Sequence, residues 1–258
     1  MLERKAAEMV LAYHEVMPES NYAYCVTCDH FAEHMNLLGL LARPEGPAIH
    51  ARVTFDDGEQ SQSRNALPLL RRHGVFATYF VNPRLAGTEP KFLTWEQLKE
   101  LQAAGHSIQS HGWSHKFLTF CSDAELAQEI GGSKEMLERK LGVPVEEISM
   151  PGGRWDERVI AACARAGYKR VYVSDPWIAT EMSGVKVIGR FMVRRTTTLA
   201  ELKKMVQRDS GKLWALKMRS QLKRRVVGLV GDGLYHRLWC KLTGYNEFEA
   251  ARQQDHYS

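Results

Sequence analysis

An α/β fold built on a parallel sheet is predicted by three observations. Short β-type runs alternate with helical patterns along most of the chain. Five or more such strand–helix units fit in roughly 200 residues, which suits a barrel or an open α/β sheet. Polar clusters follow directly on several strand-like runs, where the chemistry of parallel α/β folds gathers. The first run is VLAYH, 10–14, and residues 15–50 read as an irregular excursion with a helix from Asp29 to Leu41. ARVTFD, 51–56, is the next strand, and Ser61 to His73, with Leu67, Leu69 and Leu70, is a helix. FATYFV, 76–81, precedes a helix from Trp95 to Ala104, opened by Thr94 as N-cap with Gln97 three residues on. HSIQS, 106–110, precedes the longest helix, Ser122 to Leu141, which Gly142 and Pro144 end. EISMP, 147–151, a helix from Asp156 to Ala166 stopped by Gly167, and RVYVS, 170–174, complete the alternation. Beyond Asp209 the pattern gives way to a basic helical extension, which sets the expected division at 8–210 and 211–258.

Composition limits the function classes. The 258 residues are 44% apolar and 25% charged, ordinary for a soluble globular protein with a substantial core. No apolar run is long enough to span a bilayer, and the N-terminal stretch, interrupted by His14 and Glu15, makes a poor secretory signal. Five cysteines, Cys25, Cys28, Cys121, Cys163 and Cys240, form no regular framework and read as reduced thiols, so a cytoplasmic location is expected. The net charge of +5 is concentrated between Lys212 and Lys241, where eight basic residues face one acid, Asp232. The main domain is therefore not a polyanion binder by charge, and nucleic acid is not expected as a partner. The tail's apolar residues, among them Leu213, Trp214 and Leu222, suit a helix that packs on its own domain with its lysines outward, or one that lies on an anionic membrane.

Two clusters carry chemistry. VTFDDG, 53–58, places two carboxylates side by side at a strand end, where like charges repel. SHGWSH, 110–115, places His111 and His115 four apart, which on a helical turn puts both imidazoles on one side. Two imidazoles and one carboxylate make a facial set for a divalent metal. One aspartate can then be a ligand and the other a base, and the cation removes the repulsion between them.

TFDDG followed by SHGWSH resembles the polysaccharide deacetylase family, the NodB homology domain of carbohydrate esterase family four. Tyr13-His14 upstream, Pro151-Gly152-Gly153 downstream, and Ala166-Gly167-Tyr168 before a strand fit the same order over roughly residues 8–210. The resemblance implies a distorted (β/α) barrel of about seven units. It implies hydrolysis of an acetyl group on an N-acetylated sugar polymer, oligomer or glycoconjugate, with one divalent metal, zinc first and cobalt or nickel as alternatives. Asp56 would be the general base, Asp57, His111 and His115 the metal ligands, and the Gly152 N–H a donor to the oxyanion. The sequence departs from the family pattern at Gly112 and Lys116, where Ser or Thr and Pro are usual. It departs again at Ser149, where an arginine normally orients the base; Arg154 is the expected substitute. The late general-acid histidine is missing, which leaves His14 and His236 as candidates.

Other residues have two readings each. Trp113 and Trp177 are packing residues or stack on a sugar ring, and Asp175 contacts substrate or caps a turn. Cys25, Cys28, His30 and His34 approach zinc-ligand chemistry, but the single residue between Cys28 and His30 is too short for the usual finger. Two alternatives to the sugar deacetylase are a related amidase on a small non-sugar substrate and a carbohydrate-binding pseudoenzyme that lacks a general acid.

Overall fold

The computed structural model describes residues 9–42 and 51–206, together with Met218. His236, Cys240 and nearly all of the basic extension lie outside the described residues. The strands are β1 Met9–Tyr13, β2 Glu15–Met17, β3 Cys25–Thr27, β4 Ala51–Phe55, β5 Ala77–Val81, β6 Ser107–Ser110, β7 Glu147–Ser149, β8 Arg170–Val173, β9 Ala179–Met182, β10 Val185–Gly189 and β11 Phe191–Met192. The helices are α1 Cys28–Leu41, α2 Leu67–His73, α3 Trp95–Ala103, α4 Asp123–Leu126, α5 Ser133–Leu141, α6 Glu157–Arg165 and α7 Leu199–Val206. Thr94 caps α3 in a reciprocal box with Gln97, as its position predicts.

The main sheet runs β11-β1-β4-β5-β6-β7-β8-β10-β9, and every pairing is parallel except that of β9 with β10. Parallel strands covered on both faces need apolar side chains on both, and β1 and β5 are buried along their whole length. β10 pairs with β8 and β11 with β1, yet only Arg190 separates β10 from β11. One residue of chain bridges only a few ångströms, so the two flanks of the sheet meet and the ribbon curls into a barrel. The interior agrees: Val10 of β1, Phe80 of β5 and Tyr172 of β8 share one buried cluster with Ile188 of β10. The barrel has seven strand positions, β1, β4 to β8, and the broken β10–β11 strand.

Six of those positions match the sequence expectation, but the seventh does not appear among the runs read from sequence. Two of the predicted helices are also less regular than expected. A π-turn, Gln62–Ala66, precedes α2, and another, Ala127–Gly132, joins α4 to α5. At the closing strand, a Cβ on Gly189 would stand 1.8 Å from the backbone oxygen of Asp175. Because backbone yields less than a flexible side chain, Gly189→Ala is expected to cost about 3 kcal/mol, measured by urea unfolding. No helix among the described residues is long and apolar enough to cross a membrane.

Candidate metal centre and active site

The site collects at the C-terminal ends of the parallel strands. His14 follows β1, Asp56 and Asp57 follow β4, His111 follows β6, Gly152 follows β7, Asp175 follows β8, and Arg190 follows β10. In a barrel these ends share one face. Residues far apart in sequence therefore converge there.

Asp57, His111 and His115 each offer one ligand atom, all within 4.8 Å of one another. Both imidazole Nε2 atoms approach Asp57 Oδ1, His111 at 3.3 Å and His115 at 3.2 Å. Asp57 Oδ1 nevertheless takes no hydrogen bond of acceptable geometry, and it is buried. On the far side of its ring, His111 Nδ1 lies 3.0 Å from the carbonyl oxygen of Ser149. A carbonyl only accepts, so Nδ1 carries a proton, and in the neutral ring Nε2 presents a lone pair toward Asp57. A carboxylate oxygen and an imidazole lone pair do not attract each other. A cation among them would satisfy all three donors, so the residues fit a divalent metal.

The backbone differs from the helical turn suggested by the His-x-x-x-His spacing. Residues 111–115 form a loop, with Gly112 at φ 77° and His115 at φ 65°. Asp57 also lies at φ 72°. Positive φ in a residue with a side chain is strained and persists where surrounding contacts over-determine it. Two of the three candidate ligands carry that strain. Contacts hold the chain just before each: Gln62 Nε2 donates to the Asp56 carbonyl at 2.5 Å and Ser114 N donates to Glu129 Oε2 at 2.9 Å, while Asn82 Nδ2 donates to the carbonyls of His111 at 2.6 Å and Gly112 at 3.2 Å at the start of the loop.

Asp56 is committed differently. Arg190 grips it with two parallel bonds, Nη1 to Oδ1 and Nη2 to Oδ2, each 2.7 Å. Arg190 also donates to Thr54 Oγ1 at 3.2 Å and to Ser149 Oγ at 2.6 Å, and only 1% of it is exposed. Burial works to raise the Asp56 pKa, but the Arg190 guanidinium and His111 outweigh it and hold the carboxyl below its usual range. Burial likewise opposes ionisation of Asp57, where His115 and His111 prevail and keep its pKa well below the usual range. Asp56 thus has a permanent counter-charge in Arg190, whereas Asp57 faces imidazoles that counter it only when protonated, the place a bound cation would take.

The expectation for Arg154 is corrected here. Its guanidinium lies over the rings of Phe117 at 5.0 Å and Phe120 at 5.6 Å, while Asp56 is held by Arg190. Arg190 arrives from the closing strand, and the small side chain of Ser149 leaves room for it. Sequence reading missed this residue, although an arginine inside the apolar run VIGRFMV calls for a buried acid.

His14 is half-buried, with its ring 5.2 Å from that of Tyr24. Its Nδ1 has no hydrogen-bond partner. Burial lowers its pKa against the raising influence of Asp57 and Asp56, which places it within their field. Gly152 adopts φ 61° in the turn after β7, and a Cβ there would meet Phe117 at 2.5 Å. Trp113, which falls between the two histidines in sequence, is half-buried. Asp175 Oδ1 accepts the Trp177 N–H at 3.2 Å, and the Trp177 ring stands edge-on to Phe191 with Nε1 buried and unpartnered. The Cys25, Cys28, His30, His34 pattern does not gather around a metal position: His34 is buried, with Nδ1 3.2 Å from the Tyr13 hydroxyl.

Residues 44–171 match the family described as Polysaccharide deacetylase. YxkH of Bacillus subtilis, whose name assigns it to polysaccharide deacetylases, is 30% identical over 141 residues, 55% of this chain and 50% of that protein. A chitooligosaccharide deacetylase of Bradyrhizobium is 29% identical over 48% of this chain and 56% of its own. The chain spans about half the length of these relatives. Among solved structures, the deacetylase PplD of Streptococcus pyogenes superposes with a TM-score of 0.67 at 24% identity, covering 77% of this chain and 97% of that one. A polysaccharide deacetylase of Bacillus cereus gives 0.69 at 23% identity, over 77% and 68% of the two chains. Both likenesses are of fold.

Proposed function

Residues 44–171 of this chain belong to the polysaccharide deacetylase family, and on that premise we propose that the protein is a metal-dependent hydrolase removing N-acetyl groups from N-acetylated sugars. The observation that carries the proposal is the division of labour between neighbouring aspartates. Asp57 faces two imidazoles, and Asp56 is fixed by an arginine. Asp57, His111 and His115 would hold the ion, with zinc favoured and cobalt or nickel acceptable to the same donors. When bound, such an ion polarises the acetamide carbonyl and acidifies water.

Asp56, ionised and oriented by Arg190, accepts the proton of the attacking water. The main-chain N–H of Gly152 shares the charge on the oxyanion. His14 returns a proton to the departing amine. Its lowered pKa makes the imidazolium a readier donor but keeps it loaded only toward acid. Turnover through His14 therefore falls as pH rises through a pKa below 6.5. His14→Gln is expected to lower kcat about 10²-fold with the metal retained; an unchanged kcat and pH profile would transfer the proton return to Asp56. Trp113 and Trp177 are assigned to sugar stacking and Asp175 to holding the Trp177 turn.

The domain is taken as 8–210, with 211–258 as an extension whose basic charge suits peripheral contact with an anionic membrane. Cys25, Cys28, Cys121 and Cys163 are free thiols, which suits the reducing cytoplasm. The test is acetate release from N-acetylglucosamine oligomers by chelator-stripped protein refilled with zinc, cobalt or nickel. Release that depends on the metal supports the proposal. Metal uptake without acetate would support carbohydrate binding without catalysis.

A further inference from the structure

We propose that Glu129 is a positioning residue for the metal centre, clamping the His111–His115 loop from within a π-turn. The inference rests on the metal-binding part of the function proposed above. Each of the two π-turns ends up beneath a different loop of the site. In Gln62–Ala66, the fully buried Gln62 donates from Nε2 to the carbonyl of Asp56 at 2.5 Å and to that of His14 at 3.0 Å. In Ala127–Gly132, Glu129 is 3% exposed and accepts twice from one residue. Its Oε2 takes the Ser114 N–H at 2.9 Å and its Oε1 takes the Ser114 hydroxyl at 2.5 Å. A π-turn widens the helix by one residue and redirects the side chains around it, which is why such turns recur at functional sites.

Ser114 immediately precedes His115, so fixing its N–H and hydroxyl fixes the direction in which the chain enters a residue held at φ 65°. Ser133, at the start of α5, ties the same loop through Gly112, its hydroxyl donating to that carbonyl at 3.2 Å. A buried carboxylate is a costly way to anchor a helix if anchoring is its whole role, since a neutral amide would serve. Beside a cation site the negative charge is an asset, and Glu129 stands against the loop itself, since a Cβ on Gly112 would lie 3.5 Å from its Oε2. The family pattern usually has Ser or Thr after the first histidine. This chain has Gly112 there, and the Ser114–Glu129 pair restrains the same loop two residues on.

The experiment measures zinc affinity of the full chain by competition with a chromophoric chelator, with circular dichroism to establish folding. Glu129→Ala, which loses both hydrogen bonds and the charge, is expected to weaken zinc about 10- to 100-fold. Glu129→Gln keeps an acceptor for the N–H and a donor for the hydroxyl, so its loss is smaller. A folded Glu129→Ala protein with wild-type affinity overturns the proposal. So do equal losses in Ala and Gln variants that follow equal drops in thermal stability, the mark of a residue that only holds the helix. Should Glu129→Ala fail to fold, Ser114→Ala removes one bond alone and is expected to weaken zinc about 3- to 10-fold; no change there overturns it equally. Wild-type protein that takes up no zinc would instead overturn the metal assignment itself, and the clamp with it.

Discussion

Arg190→Met should destabilise the protein by about 3–5 kcal/mol at neutral pH, because it leaves the Asp56 carboxylate buried without its partner. The pH dependence identifies the cause. In the native protein the Asp56 pKa is depressed. Its contribution to stability is therefore present above the ordinary carboxylate pKa and lost as pH falls through the depressed one. Without the guanidinium, burial has lost its main opponent and pushes the folded-state pKa up. The variant then gains stability as pH falls and the acid is neutralised, so the gap from wild type narrows toward acid. Urea unfolding between neutral pH and pH ~4 measures it, a range set by ordinary carboxylate titration. The double variant with Asp56→Asn should recover much of the loss, because it removes the stranded charge. A gap constant with pH would mean that Arg190 acts through its volume rather than its charge.

Asp57→Ala and Asp56→Asn should separate metal binding from turnover. Asp57→Ala removes the one anionic ligand of the set and is expected to abolish tight metal uptake. Asp56→Asn keeps the shape beside Arg190 but loses the proton acceptor, the charge and one of the two bonds to the guanidinium. It should keep the metal and lower kcat by about 10²–10⁴-fold. Metal content by atomic emission, read beside acetate release, distinguishes the two. If Asp56→Asn lost the metal while Asp57→Ala kept it, the assignments of the two aspartates would be exchanged.

Much of this architecture is legible in the chain because buried parallel strands are written as compact apolar runs. VLAYH, ARVTFD and FATYFV correspond to β1, β4 and β5 within a residue or so at each end. The candidate ligands were equally visible, since paired aspartates after β4 and two histidines after β6 have few structural uses at such positions. The closing strand was hidden because Gly189 and Arg190 interrupt it, and a charged residue in a short run reads as an ending. Only curling of the sheet turns that charge inward onto Asp56 and makes it an asset. Conformation was less visible than identity: the histidine spacing fits a helical turn, yet the loop reaches the same convergence through Gly112 and His115 in the left-handed region. The π-turns were invisible for a similar reason. Their apolar pattern differs from that of an α-helix by one residue, and the polar contacts that pay for them, from Gln62 and Glu129, lie far away in sequence.

Crystals soaked in zinc and measured at its absorption edge give the most direct test. The account predicts one strong anomalous peak about 2.0–2.2 Å from Asp57 Oδ1 and the Nε2 atoms of His111 and His115, with Asp56 still bound to Arg190. A peak that engages Asp56 in place of Asp57, or no peak between these side chains at saturating zinc, would contradict it.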